Sequence, residues 1–153
     1  MTYVTAKTVF ASLIALIMLC SNTVASAAEP DWIPVAESND GIVVHVDAAS
    51  IRIRERRLTA WVRYNFASAQ PSTAGKLFRS SVRLYVVGCR SEQTGMAVYS
   101  DYSGSASTGE VVDTGAIGIS AAPLSYSAPQ TLAQAIMKFV CAHATQTELS
   151  LAQ

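Results

Sequence analysis

Residues 58–66 read Leu58-Thr59-Ala60-Trp61-Val62-Arg63-Tyr64-Asn65-Phe66. Side chains alternate across a strand with period two, so Leu58, Ala60, Val62, Tyr64 and Phe66 share one side, and Thr59, Trp61, Arg63 and Asn65 the other. This is the signature of a half-buried strand. Upstream, Ile42 to Val46 repeats the pattern, with Ile42, Val44 and Val46 facing a core and Val43, His45 and Asp47 facing away. Before it, Trp32 to Ala36 is a short, mostly apolar run, separated from the next by Ser38-Asn39-Asp40-Gly41. Asp-Gly between two apolar runs predicts a hairpin, because both residues tolerate positive φ. Pro34 lacks a backbone donor and assigns the first run to a sheet edge.

Downstream, a polar loop bearing Pro and Gly (68–75) leads to a strand at Ser81 to Cys89, and a turn holding Gly95 leads to another at Met96 to Tyr102. Val111 to Asp113 is a candidate sixth strand. Ser103 to Gly109 is small and polar and reads as a mobile loop, while Gly115 to Ser127 reads as a long irregular connection. A helix should follow, with Ser127 as N-cap, Pro129 in its first turn and Gln130 at its third position. Leu132, Ala133, Ile136, Met137, Phe139, Val140 and Cys141 then cover an arc of about 200°, one broad apolar side to lay on the sheet. The predicted class is α+β, an antiparallel sheet of five or six strands with one C-terminal helix packed on a face. The strand at Ser81 to Cys89 is apolar on both sides, with Val82, Leu84 and Val86 opposite Tyr85, Val87 and Cys89. A single helix covers one side only. Either a bulge near Gly88 resets the alternation or another subunit or partner covers the second side, and the latter is the expectation carried forward.

The chain has 153 residues with 11 basic and 11 acidic side chains, 14% charged and half apolar. That balance excludes both a disordered tail and a basic nucleic-acid binder. Three cysteines and two histidines are too few for a Cys-rich zinc module. Residues 1–27 read as a secretory leader, with Lys7 in a positive n-region, an apolar stretch from Val9 to Leu19, and Ala25-Ser26-Ala27 for cleavage after Ala27 or Ala28. Cys20 is not read as a lipidation site, because Leu19 stands where a small residue is needed. Cleavage removes Lys7 and Cys20 and leaves residues 28–153 as one nearly neutral domain. Cys89 and Cys141 remain, in a compartment where disulfides persist, and are expected to bond.

His45, Asp47 and Ser50 are the one grouping that could be drawn as a hydrolytic set, but Ser50 lies past a turn with no nucleophile elbow, so no catalytic residue is assigned. His143 is the only other histidine and sits on the helix, so no metal site is assigned either. Arg52, Arg54, Arg56, Arg57 and Arg63 gather within twelve positions, partly offset by Glu55. Planar guanidinium forks suit anionic groups, which makes Arg52, Arg54, Arg56 and Arg63 candidate binding residues. Trp32, Trp61, Tyr85, Tyr99 and Tyr102 read as core and rim aromatics rather than a ligand cage.

In order along the chain, Trp32, Val44-His45-Val46-Asp47 with Ser50-Ile51, Trp61, Cys89, Tyr99 with Gly104, and a helix ending at Cys141 resemble the surface-adhesin E family, small exported proteins of Gram-negative bacteria. The match runs from about Asp31 to about His143. The sequence departs from the family's usual pattern at Arg54-Glu55-Arg56-Arg57, where a glycine is usual, and at Ser127-Ala128-Pro129. The resemblance implies an antiparallel sheet with its C-terminal helix tethered by a disulfide, non-catalytic binding of host proteins, and a dimer. The function expected is therefore an exported, cofactor-free binding protein of the periplasm or cell surface, engaging a protein partner through an exposed sheet face and the basic region. The alternative is a periplasmic inhibitor or small-ligand module acting through Ser103 to Gly109 or a pocket between helix and sheet.

Overall fold

Strands dominate from Trp32 to Ala116 because β-branched and aromatic residues recur at alternate positions. The computed structural model describes residues 29–151, so the expected leader at 1–27 lies outside the described residues. The strands are β1 (Trp32–Glu37), β2 (Ile42–Asp47), β3 (Arg52–Arg54), β4 (Arg57–Pro71), β5 (Leu77–Gly88), β6 (Gln93–Tyr102), β7 (Val111–Ala116) and β8 (Ser125–Tyr126). Two helices follow, α1 (Leu132–His143) and α2 (Gln146–Leu151). The strands form one antiparallel, eight-stranded sheet in the order β1-β2-β4-β5-β6-β7, with β3 added to β4 and β8 to β6. The predicted α+β class holds, and the two short added strands account for the larger strand count.

The β1–β2 hairpin forms where Asp40-Gly41 placed it. Gly41 takes φ +78° and donates its N–H to the Ser38 carbonyl at 3.0 Å. β1 ends the sheet, as Pro34 required, and the pairing shifts register between Pro34 and Ala36.

One face, here called inner, carries the main core. Val44 and Val46 of β2, Leu58, Ala60 and Val62 of β4, and Val87 of β5 are buried beneath Ile136, Met137 and Val140 of α1. The Cys89–Cys141 disulfide joins the last turns of α1 to the end of β5, with Cα atoms 5.7 Å apart. The helix starts later than expected. Thr131 is the N-cap, its hydroxyl accepting the Gln134 N–H at 3.2 Å. Ser127 cannot serve, because its hydroxyl is buried in a 3.1 Å bond with Thr94, and Gln130 has a left-handed φ of 62°.

On the opposite, outer face, Leu84 and Val86 of β5 are covered by the chain's own 117–124 segment, through Ile119 and Ala122, while Val82, the third apolar residue of that side, stays partly open. Gly95 makes this possible, since a Cβ there would lie 2.4 Å from the Pro123 carbonyl oxygen. A bulge does exist, but Ala97 is the extra residue, where Leu84 pairs Val98 and Tyr85 pairs Met96, rather than a residue near Gly88.

The segment after Ser50 is a hairpin rather than a plain link. β3 pairs β4 through Arg52–Thr59, Ile53–Leu58 and Arg54–Arg57, and the turn residues Glu55 and Arg56 take φ 48° and 64°. The loop at 103–109 is bonded back to the sheet, with Ala106 N–H donating to Asn65 Oδ1 at 2.8 Å and Ser107 N–H to Ser80 Oγ at 2.9 Å.

Candidate functional site

The candidate site is built on the part of the outer face that the 117–124 segment leaves open. Sheet register sets Pro34, His45, Arg63, Val82, Ser100 and Thr114 side by side, one each from β1, β2, β4, β5, β6 and β7. None of these six side chains is buried. Arg63 is the organising residue, with its guanidinium carbon 4.5 Å from the centre of the Trp32 ring and its Nε without a hydrogen-bond partner. The ring takes the place of that bond, since an aromatic face attracts a cation. Partial burial works against the Arg63 charge and lowers its pKa from the ordinary value, yet a guanidinium keeps its proton throughout the accessible pH range.

His45 stands beside Arg63 with a buried, unpartnered Nδ1. Desolvation first, and the Arg63 charge second, lower its pKa. The sign follows: the unfolded chain takes up the proton at about pH 6.5 while the folded chain resists it, so stability present above that pH is lost as pH falls toward the lowered folded value. Urea melts on either side of that window should show a loss on acidification that is smaller in His45→Gln. Equal losses in both proteins would mean that His45 does not carry the effect.

Of the other basic residues, Arg52 and Arg54 lie on the same face as Thr59, because Arg52 pairs with Thr59 and Arg54 with Arg57, and Thr59 accepts from Arg54 Nη1 at 3.3 Å. Thr59 and Arg63 are four residues apart, which sets Arg52 and Arg63 about 13 Å apart along the strands, with Trp61 between. Arg54 is half-buried, and desolvation followed by the neighbouring Arg52 charge lowers its pKa. Arg56 is exposed at the hairpin turn. Arg57 instead helps hold the covering segment, donating to the Ala122 carbonyl at 3.4 Å, while the Glu55 carboxylate accepts the Ser120 N–H at 3.2 Å. The arginines thus divide between an open face and a fastening for the 117–124 segment. Sequence spacing carries no signal for that division or for the Trp32–Arg63 stack, because both depend on strand order.

The drawn hydrolytic set is not assembled. Asp47 is buried and accepts from the N–H groups of Asp31 at 2.9 Å and Ala49 at 3.1 Å, while Ser50 donates to the Asp47 carbonyl at 2.7 Å and accepts from Trp61 N–H at 2.9 Å. Both side chains brace the 3₁₀ turn at Ala48–Ser50. His143 stacks on Phe139 with ring centres 3.9 Å apart and bonds its own helix at the Phe139 carbonyl. No group of three or more His, Cys, Asp or Glu side chains gathers among the described residues. The aromatics lie on both faces rather than around one pocket, with Tyr85 bonded to Tyr64 hydroxyl to hydroxyl at 2.7 Å on the inner side. Beside α1, Glu37, Gln130 and Lys138 border a cavity of about 440 Å³. Among the described residues, no helix is long and apolar enough to cross a membrane.

Comparison with known proteins agrees with the fold. The structure of Haemophilus influenzae protein E is similar with a TM-score of 0.54 and 12% sequence identity, over 81% of this chain and 90% of that one. A crystal structure of protein E from non-typeable Haemophilus influenzae is similar with a TM-score of 0.52 and 13% identity, over 83% and 88%. At such identities the likeness shows the fold alone. No curated protein matches the chain. The family model for surface-adhesin protein E matches residues 32–142, from the Trp32 that carries Arg63 to the residue after Cys141, and the chain belongs to that family.

Proposed function

We propose that the chain is an exported, non-catalytic binding protein of the periplasm or cell surface, which docks a protein partner on the open outer face and the β3–β4 hairpin. The observation that supports this most is the Arg63–Trp32 stack, set between His45 and Val82, with Arg52 and Arg54 farther along the same face beyond Trp61. An arginine held over a tryptophan ring, with a partly open valine beside it, has the composition of a binding hot spot. Membership of a surface-adhesin family favours a host extracellular protein as the partner. A homodimer belongs to the same reading, supported by the position of β7 at the end of the sheet and by exposed Val111 and Ile117 beside it. The inhibitor reading through the 103–109 loop has less support, because that loop is bonded back to Asn65 and Ser80; the small-ligand reading through a pocket between helix and sheet rests on the cavity bordered by Glu37, Gln130 and Lys138.

The test offers immobilised host matrix proteins and a periplasmic extract to the parent chain, to Arg63→Ala, and to a variant with Arg52, Arg54 and Arg56 all changed to Ala. Arg63→Ala should weaken the best interaction by about tenfold or more. The triple change should slow association and flatten its salt dependence. If both variants keep every interaction at parental strength, this surface is not the binding site.

A further inference from the structure

Charge is divided unevenly along this neutral chain. Residues 56–91, the β4–β5 hairpin with its flanks, hold seven of the eleven basic side chains, and all eleven acidic ones lie outside that span. Within the hairpin the cations rest on uncharged groups. Arg57 donates to the Ala122 carbonyl, Arg63 and Arg83 lie over the Trp32 and Tyr64 rings, and Arg79 donates to the Ala67 carbonyl at 2.9 Å. None of these contacts supplies a negative charge.

The far end of the hairpin is an arm. β2 pairs with β4 only as far as Phe66, and β6 pairs with β5 only from Ser80 onward, so residues 68–79 run beyond the strands on either side. The pairs Asn65–Ser80 and Gln70–Phe78 leave β4 three residues longer than β5, and this surplus bends the arm until the Thr73 hydroxyl donates to the Asp113 carboxylate. The tip is a fixed turn. Ser72 N–H donates to the Lys76 carbonyl at 2.8 Å, Gly75 N–H to the Ser72 carbonyl at 2.9 Å, and Lys76 N–H to the Ser72 hydroxyl at 3.3 Å. Gly75 takes φ +74°, and a Cβ built on it would meet nothing within 4 Å, so the turn stands in open space.

Leu77 follows that turn and is 62% exposed, more than any other large apolar side chain among the described residues. Lys76 and Arg79 are exposed beside it, as are Ala69, Pro71 and Ala74. An exposed leucine alone is ordinary. At a fixed, unobstructed tip, between two cations in an arm without an acid, it matches an anionic bilayer: the apolar side chain enters the boundary of the acyl region while the cations meet headgroup phosphates, the lysine stem lying along the apolar layer. A protein hot spot would call for an exposed aromatic anchor, and the arm's one aromatic ring, Phe78, is buried. We propose that the tip of the β4–β5 hairpin docks on an anionic phospholipid surface through Leu77, Lys76 and Arg79. The arm and the β3–β4 hairpin are opposite ends of β4, so this contact and the docking of a protein partner stand or fall separately.

The test sediments the exported protein, residues 28–153, with vesicles of phosphatidylcholine and with vesicles of phosphatidylcholine mixed with phosphatidylglycerol. The parent should bind the mixed vesicles, less at high salt, and leave the neutral ones. Leu77→Ser should weaken binding about tenfold and Lys76→Gln about fivefold. Leu77→Trp should bind at least as well as the parent, because tryptophan favours the membrane interface. Arg90→Gln removes the same charge at the other end of β5 and should bind like the parent. Four results would each overturn the assignment: no preference for the mixed vesicles, undiminished binding by Leu77→Ser, equal losses in Lys76→Gln and Arg90→Gln, or a Leu77→Trp that binds no better than Leu77→Ser.

Discussion

Replacing Cys89 and Cys141 together by Ala is expected to remove about 4 kcal/mol of stability and to lower Tm by about 15 °C. The bond spans 52 positions, so its loss frees a long loop in the unfolded chain. The folded sheet should survive, because the cysteines sit at the margin of the core and Leu58, Val62 and Val87 are buried without them. Chemical denaturation of the double variant, followed by circular dichroism, checks this. A midpoint unchanged from the parent would mean that the unfolded chain gains nothing from the freed loop and that the bond does not stabilise the protein.

Ile136→Ala should cost about 3 to 4 kcal/mol, the usual cost of emptying a fully enclosed aliphatic site. Ile136 has 0% exposure and joins Val140 and Met137 over β2, β4 and β5. Lys138→Ala, on the exposed side of the same helix, should stay within about 0.5 kcal/mol of the parent. Ile136 and Cys141 fasten the same helix, so the costs of Ile136→Ala and of the double cysteine change should not add independently. Urea melts of the three variants and their combination measure the difference. An Ile136→Ala midpoint equal to that of Lys138→Ala would contradict the placement of α1 on the sheet.

What could be read in advance follows from how local each signal is. The alternation at 42–46 and 58–66 reports burial directly, and both strands form with Val44, Val46, Leu58 and Val62 on the helix-covered face. Gly41 likewise declared its turn. The Glu55-Arg56 turn was hidden, because its two left-handed residues are neither Gly nor Asn, and only the pairing of β3 with β4 holds them there. Gln130 misled in the same manner, its positive φ displacing the helix start to Thr131. α2 carries a mark readable in the sequence: Thr145 and Glu148 bond reciprocally as a capping box, with Thr145 N–H to Glu148 Oε2 at 2.8 Å and Glu148 N–H to Thr145 Oγ1 at 3.2 Å. The cover over Leu84 and Val86 could not be foreseen, since Ile119 and Ala122 stand isolated among small residues without a period. The site was legible to a corresponding degree. Arg52 and Arg54 do share a face, but the stacking of Arg63 on Trp32 depends on strand order, which local spacing does not encode.

The sulfur bridge has a mechanical consequence. If the two ends of the domain are pulled apart, tension entering from β1 passes along the chain to Cys89 and crosses directly to Cys141, so that β6, β7, β8 and most of α1 bear no load. Those strands can be peeled away only after the loaded ones yield, and even full rupture hides the 52-position span, roughly 180 Å of contour length, from the applied force. A domain loaded at its ends would thus keep the 117–124 cover over Leu84 and Val86 inside that sheltered span.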